Sequence, residues 1–159
     1  MAPDPAVSSA EELYAHAIAL EREAAERYGE FARRMAQIGC NDVAEVFATL
    51  AGCETDHLDT LERRTTGVTL PALGPGEYRW LDAGAPETAA REFVTRQMTP
   101  RQALFIALQA EKRARDFFEH VQRAAAEPAL RTLAQELAAE EREHIAIVER
   151  ELARTPDPG

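Results

Sequence analysis

Four glutamates stand where the apolar faces of four helices should be. Val43, Phe47, Leu50, Glu54, His57 and Leu61 are spaced by 4, 3, 4, 3 and 4 residues, one face of a helix. Leu130, Ala134, Leu137, Glu141, His144 and Val148 repeat those steps, with the second Glu-x-x-His 87 residues after the first. Two further stripes each carry one carboxylate. Glu21 interrupts Leu13, Ala17, Leu20, Ala24, Tyr28, Phe31 and Met35, and Glu111 interrupts Leu104, Leu108, Ala114, Phe118 and Val121. A buried, unpaired carboxylate costs several kcal/mol even after relaxation. Four in one core therefore demand compensation, and two divalent cations would match four carboxylates and two neutral imidazoles. Residues at i and i+3 lie on adjacent turns, about 5–6 Å apart at Cβ. One metal can then take the histidine while the glutamate reaches towards a second.

A single Glu-x-x-His is a weak signal in a chain rich in glutamate. Two copies on apolar stripes, each matched by an embedded Glu on a neighbouring helix, form the ligand set of a carboxylate-bridged dinuclear site: Glu21, Glu54, His57, Glu111, Glu141 and His144. Mixed oxygen and imidazole donors suit iron or manganese, with zinc a further candidate.

The pattern predicts four helices. The first runs from about 9 to 37, with Ser9 and Glu12 as a capping box and Gly39 as its stop. The second begins at Asn41 or Asp42 and ends at Arg64, before Thr65-Thr66-Gly67. The third opens at Thr99-Pro100 and continues to about Ala126. The fourth starts at Pro128 and fades before Pro156. Short turns join the first pair and the last pair, so each is an antiparallel hairpin. The hairpins are expected at about 9–64 and 99–154 of a single domain spanning 1–159.

Between them, about 65–98 is too long for a simple loop. It is read as a crossover along the bundle, with a short helix near 86–98 and Tyr78, Trp80 and Phe93 as apolar anchors. Counted from the first turn, near Cys40, Glu21 lies 19 residues back and Glu54 to His57 lie 14 to 17 forward. From the second, near Glu127, Glu111 lies 16 back and Glu141 to His144 lie 14 to 17 forward. At 1.5 Å per residue, all six ligands share one level to within about a turn.

Composition narrows the function. A formal charge of −10 argues against nucleic acid or an anionic membrane as a partner. No apolar run approaches the ~20 residues of a membrane span, and residues 1–9 lack the features of a secretory signal. Cys40 and Cys53 form no Cys-x-x-Cys pair, and two free thiols fit a reducing cytoplasm. Cys53, His16, His120, Asp56, Glu140 and Glu143 fall off the Glu stripes. They are read as core thiol, satisfied or surface histidines, and solvated acids, one of which could orient a ligand imidazole.

Glu21 with Tyr28 seven residues on, Glu54-Thr55-Asp56-His57 and Glu141-Arg142-Glu143-His144 resemble the helical domain of the rubrerythrin family of ferritin-like di-iron proteins. The resemblance spans about 9–153, and 65–98 carries no motif of it. It implies an all-α, ferritin-like four-helix bundle holding two irons. The implied activity is that of an oxidoreductase reducing peroxide or dioxygen. Glu54 and Glu141 would bridge, Glu21 and Glu111 would cap the outer positions, and His57 and His144 would each hold one iron. Tyr28 would bond a ligand carboxylate or relay a radical.

Alternatives of other classes are a ferroxidase or iron-handling protein, an oxygenase acting on an organic substrate, and a metal-stabilised, non-catalytic interaction module. The family typically appends an iron centre held by four cysteines, and with two cysteines this chain needs a separate electron donor. The family also carries a further Glu one turn after the helix-three ligand, where this sequence has Ala114. The long crossover is compatible with a homodimer, including one that exchanges hairpins.

Overall fold

The computed structural model describes residues 7–73 and 98–156. Its elements are α1 (Ala10–Gln37), α2 (Asn41–Arg64), α3 (Pro100–Ala124) and α4 (Pro128–Arg154). No strand occurs among the described residues. The helices form an all-α, ferritin-like bundle in which α1 packs on α2 and α3 on α4, while α4 also touches α1 and α2. None of the described helices is long and apolar enough to cross a membrane. The anchors Tyr78, Trp80 and Phe93, and the short helix expected near 86–98, lie outside the described residues apart from Met98, which is buried.

Helix ends follow local chemistry, with two departures from the sequence reading. Ser9 caps α1 by accepting from the Glu12 N–H at 3.1 Å. The Glu12 carboxylate does not complete the box, because it accepts from the Ser8 N–H instead, at 3.2 Å. At the other end Gly39 takes φ 80, so Gly39 N–H reaches Ala36 O and Cys40 N–H reaches Met35 O, the two bonds of a Schellman motif. That turn delivers Cys40 directly as the N-cap of α2. α2 therefore starts at Asn41, as read from the sequence, and no side chain caps this end.

The second departure is that α3 stops at Ala124, short of Ala126. Ala125 is extended, as is Glu127, the residue before Pro128. α3 starts at Thr99-Pro100 as expected, and Gln102 completes a full capping box with Thr99. Arg101 also reaches across to close the end of α4, donating to Leu152 O at 3.1 Å and Thr155 O at 2.8 Å.

The interior consists of two apolar clusters. One gathers Leu13, Ala17, Leu20, Leu61, Phe117, Phe118, Val121, Leu130 and Leu137. The other gathers Tyr28, Phe31, Met35, Phe47, Leu50, Leu104, Leu108, Ile145 and Val148. Each fully buried large side chain contributes about 1.5–3 kcal/mol. Along every helix the two clusters meet at the level of the buried glutamates.

Candidate metal centre

Each helix contributes to one polar layer: Glu21 from α1, Glu54 and His57 from α2, Glu111 from α3, and Glu141 and His144 from α4. The four glutamates are each at most 3% exposed and His144 is 2% exposed. His57 is less enclosed, with 22% of its side chain exposed. The two imidazoles stack, with centroids 5.2 Å apart and planes 16° from parallel.

The donor atoms fall into two groups. His144 Nδ1 faces Glu54 Oε1 at 2.8 Å, Glu111 Oε2 at 3.4 Å and Glu141 Oε2 at 3.8 Å. His57 Nδ1 faces Glu140 Oε2 at 3.4 Å and Glu21 Oε2 at 3.8 Å. Despite this crowding, both oxygens of Glu21 and of Glu54, Oε1 of Glu141 and both Nδ1 atoms are buried without a hydrogen-bond partner. Buried polar atoms ordinarily find partners. Here they crowd into two groups whose donor atoms lie within 4.8 Å of one another, and a cation in each would satisfy them. The residues present therefore fit a pair of divalent metals of the iron or manganese type.

Residues 12–73 match the rubrerythrin family model, a span that includes Glu21, Glu54 and His57. A crystal structure of an uncharacterised conserved protein from Magnetospirillum magnetotacticum MS-1 is similar at a TM-score of 0.81. It shares 35% identity, with 95% of this chain and 98% of that one covered. The chain belongs to the rubrerythrin family. No curated protein matches it.

The electrostatics of this rubrerythrin-family centre follow from burial and mutual repulsion. Burial pushes the Glu54 and Glu141 carboxyls well above the usual carboxylate range, with Glu21 adding to the effect on Glu54 and Glu111 to that on Glu141. Burial acts the same way on Glu111, but its interactions with Glu141, His144 and Tyr28 outweigh it and leave that carboxyl lowered. The Glu21 carboxylate raises His57 against the effect of burial. Burial acts to lower His144, and Glu111 reverses the sign.

Metal-free protein should therefore become more stable on acidification from about pH 8 to about pH 5. The raised carboxyls make the folded state bind more protons than the unfolded one above their unfolded pKa. The raised imidazoles contribute stability below theirs that is lost as pH rises through the folded value. Glu111, lowered, acts only below this window. Metal-loaded protein should show the opposite trend, since protons compete for the ligands. Melting temperatures of both forms across that range check the signs, and parallel trends would count against metal ligation by these groups.

Tyr28, expected to bond a ligand carboxylate or relay a radical, is 1% exposed and donates its hydroxyl to Glu111 Oε1. Burial, reinforced by Glu111, pushes its phenol well above the ordinary value, so it stays protonated. Beside it, a cavity of about 30 Å³ lies between α1 and α3, lined by Leu20, Ala24, Ala110 and Ala114 and reaching Glu54, Glu111 and Glu141. Ala114, where the family has an additional Glu, is part of that wall.

Glu140, read from the sequence among solvated acids of which one could orient a ligand imidazole, joins Glu21 and His57 in a group whose donor atoms lie within 4.8 Å of one another. His16 is buried and packs its ring 5.7 Å from that of Phe117, away from the metal layer. Cys40 and Cys53 are both half-buried free thiols.

Proposed function

We propose that this protein is a dinuclear iron oxidoreductase that reduces peroxide or dioxygen, a rubrerythrin-like peroxidase or oxidase. The observation that carries the reading is the pair of converging donor groups, one buried and one partly exposed, with unsatisfied donor atoms in both, at one level of the bundle. Bound as a ferrous pair, the metals would supply one electron each to the oxidant.

The chain's own residues serve that chemistry in distinct ways. His57 and His144 would each hold one metal through Nδ1. Glu54 and Glu141, which come from facing hairpins, and Glu21 and Glu111 would hold the metals with them. Tyr28 holds Glu111 in place and keeps a proton close to it. The cavity over Glu54, Glu111 and Glu141 has room for an oxidant of two heavy atoms. The electrons would come from a separate donor.

Stopped-flow mixing of anaerobically loaded ferrous protein with peroxide, and separately with dioxygen, tests the proposal. Both irons should oxidise with at least one of the two oxidants within seconds. With Ala114 in place of the family's additional Glu, comparing the two rates decides between peroxidase and oxidase chemistry. Loaded protein inert to both oxidants would overturn the proposal. Iron uptake well beyond two per chain would shift it to a ferroxidase.

A further inference from the structure

Glu140 Oε2 lies 3.4 Å from His57 Nδ1, the same nitrogen that faces Glu21 Oε2 at 3.8 Å. A carboxylate that merely orients a ligating imidazole bonds the nitrogen turned away from the metal. Glu140 instead stands on the side of the ring where Glu21 stands. Both Glu21 oxygens and His57 Nδ1 are buried without hydrogen-bond partners, so the point the three residues face is one that calls for a cation.

The other half of the bundle has no equivalent carboxylate. The residue preceding Glu141 is Glu140, but the residue preceding Glu54 is Cys53, a half-buried free thiol. The two positions also differ in access, since 22% of the His57 side chain and 33% of Glu140 are exposed against 2% of His144.

We propose that Glu140 is a seventh ligand, binding only the metal held by Glu21 and His57, so that the two metal positions are chemically unequal. One is an oxygen-rich, partly exposed position at His57, and the other is a closed position at His144. The inference rests on the dinuclear reading above.

Cobalt(II) titration of metal-free protein, followed by calorimetry and visible absorption, tests it. The wild type, Glu140→Gln and the exposed control Glu143→Gln are compared, with melting temperatures confirming that all three fold. The wild type and the control should bind two cobalt ions at distinguishable positions. Glu140→Gln should keep one unchanged and bind the other at least about tenfold more weakly, with an altered absorption band from the lost donor. An amide oxygen can still accept a hydrogen bond, so a residue that only steadied His57 would be largely preserved in this variant. Two unchanged cobalt sites in Glu140→Gln would overturn the seventh ligand and leave the dinuclear centre standing. A wild type that binds no cobalt would overturn both.

Discussion

Removing the metals should lower the melting temperature by roughly 10–20 °C. Each ion that binds only the folded state stabilises it by about 2.7 kcal/mol at a free concentration of one hundred times its Kd. Two such ions give about 5 kcal/mol, and a chain of 159 residues shifts by about 2–4 °C per kcal/mol. The effect is large because the ligands do little for the fold without metal. Both oxygens of Glu21 and of Glu54 then have no partner, inside a layer that water barely reaches. Calorimetric scans before and after chelation, with metal content measured on both samples, provide the check. An unchanged transition after confirmed metal loss would mean that the ions do not sit in the buried layer.

Replacing Glu141 with leucine should have two effects of opposite sign. Metal stoichiometry should fall below about two per chain, because one carboxylate of the buried donor set is gone. The metal-free variant should nevertheless be more stable than the metal-free wild type, by about 1–4 kcal/mol, as when a buried ionic group gives way to a well-packed hydrophobe. Glu141 is 1% exposed and lies against two apolar clusters that a leucine would extend. The expected order of melting temperatures is loaded wild type, then metal-free Glu141→Leu, then metal-free wild type. A variant melting below the metal-free wild type would show that Glu141 has a structural role of its own. Glu111 is a poorer site for this experiment, because losing it would orphan the buried Tyr28 hydroxyl.

Much of the fold was legible because its signals are periodic. An apolar residue every three or four positions defines a helix face, and a Glu on that face stands out against it. Glu140 did not stand out, because it sits beside Glu141 but about 100° around the helix. Only the approach of α2 from across the bundle, carrying His57, gives it a partner, and that is a tertiary relation. The asymmetry between Cys53-Glu54 and Glu140-Glu141 was the signal that could have pointed to it. The Asn41 start of α2 was legible too, but its lack of a side-chain cap was not, because the Schellman turn at Gly39 gives the N-cap position to Cys40. Tyr28 lay on its stripe in plain view, yet its bond depends on Glu111, 83 residues away.

The polar layer also acts as a check on alignment. Apolar side chains tolerate sliding, since one leucine packs much like another. The donor atoms do not: a slip of one residue in α4 would turn Glu141 and His144 by about 100° and lift them by about 1.5 Å, away from Glu54 and Glu111. Each hairpin carries half of the convergent set, so only one docking of the two brings the donors together. A bound metal pair thereby selects the correctly registered bundle from its near misses, and a chain that holds both ions certifies its own assembly.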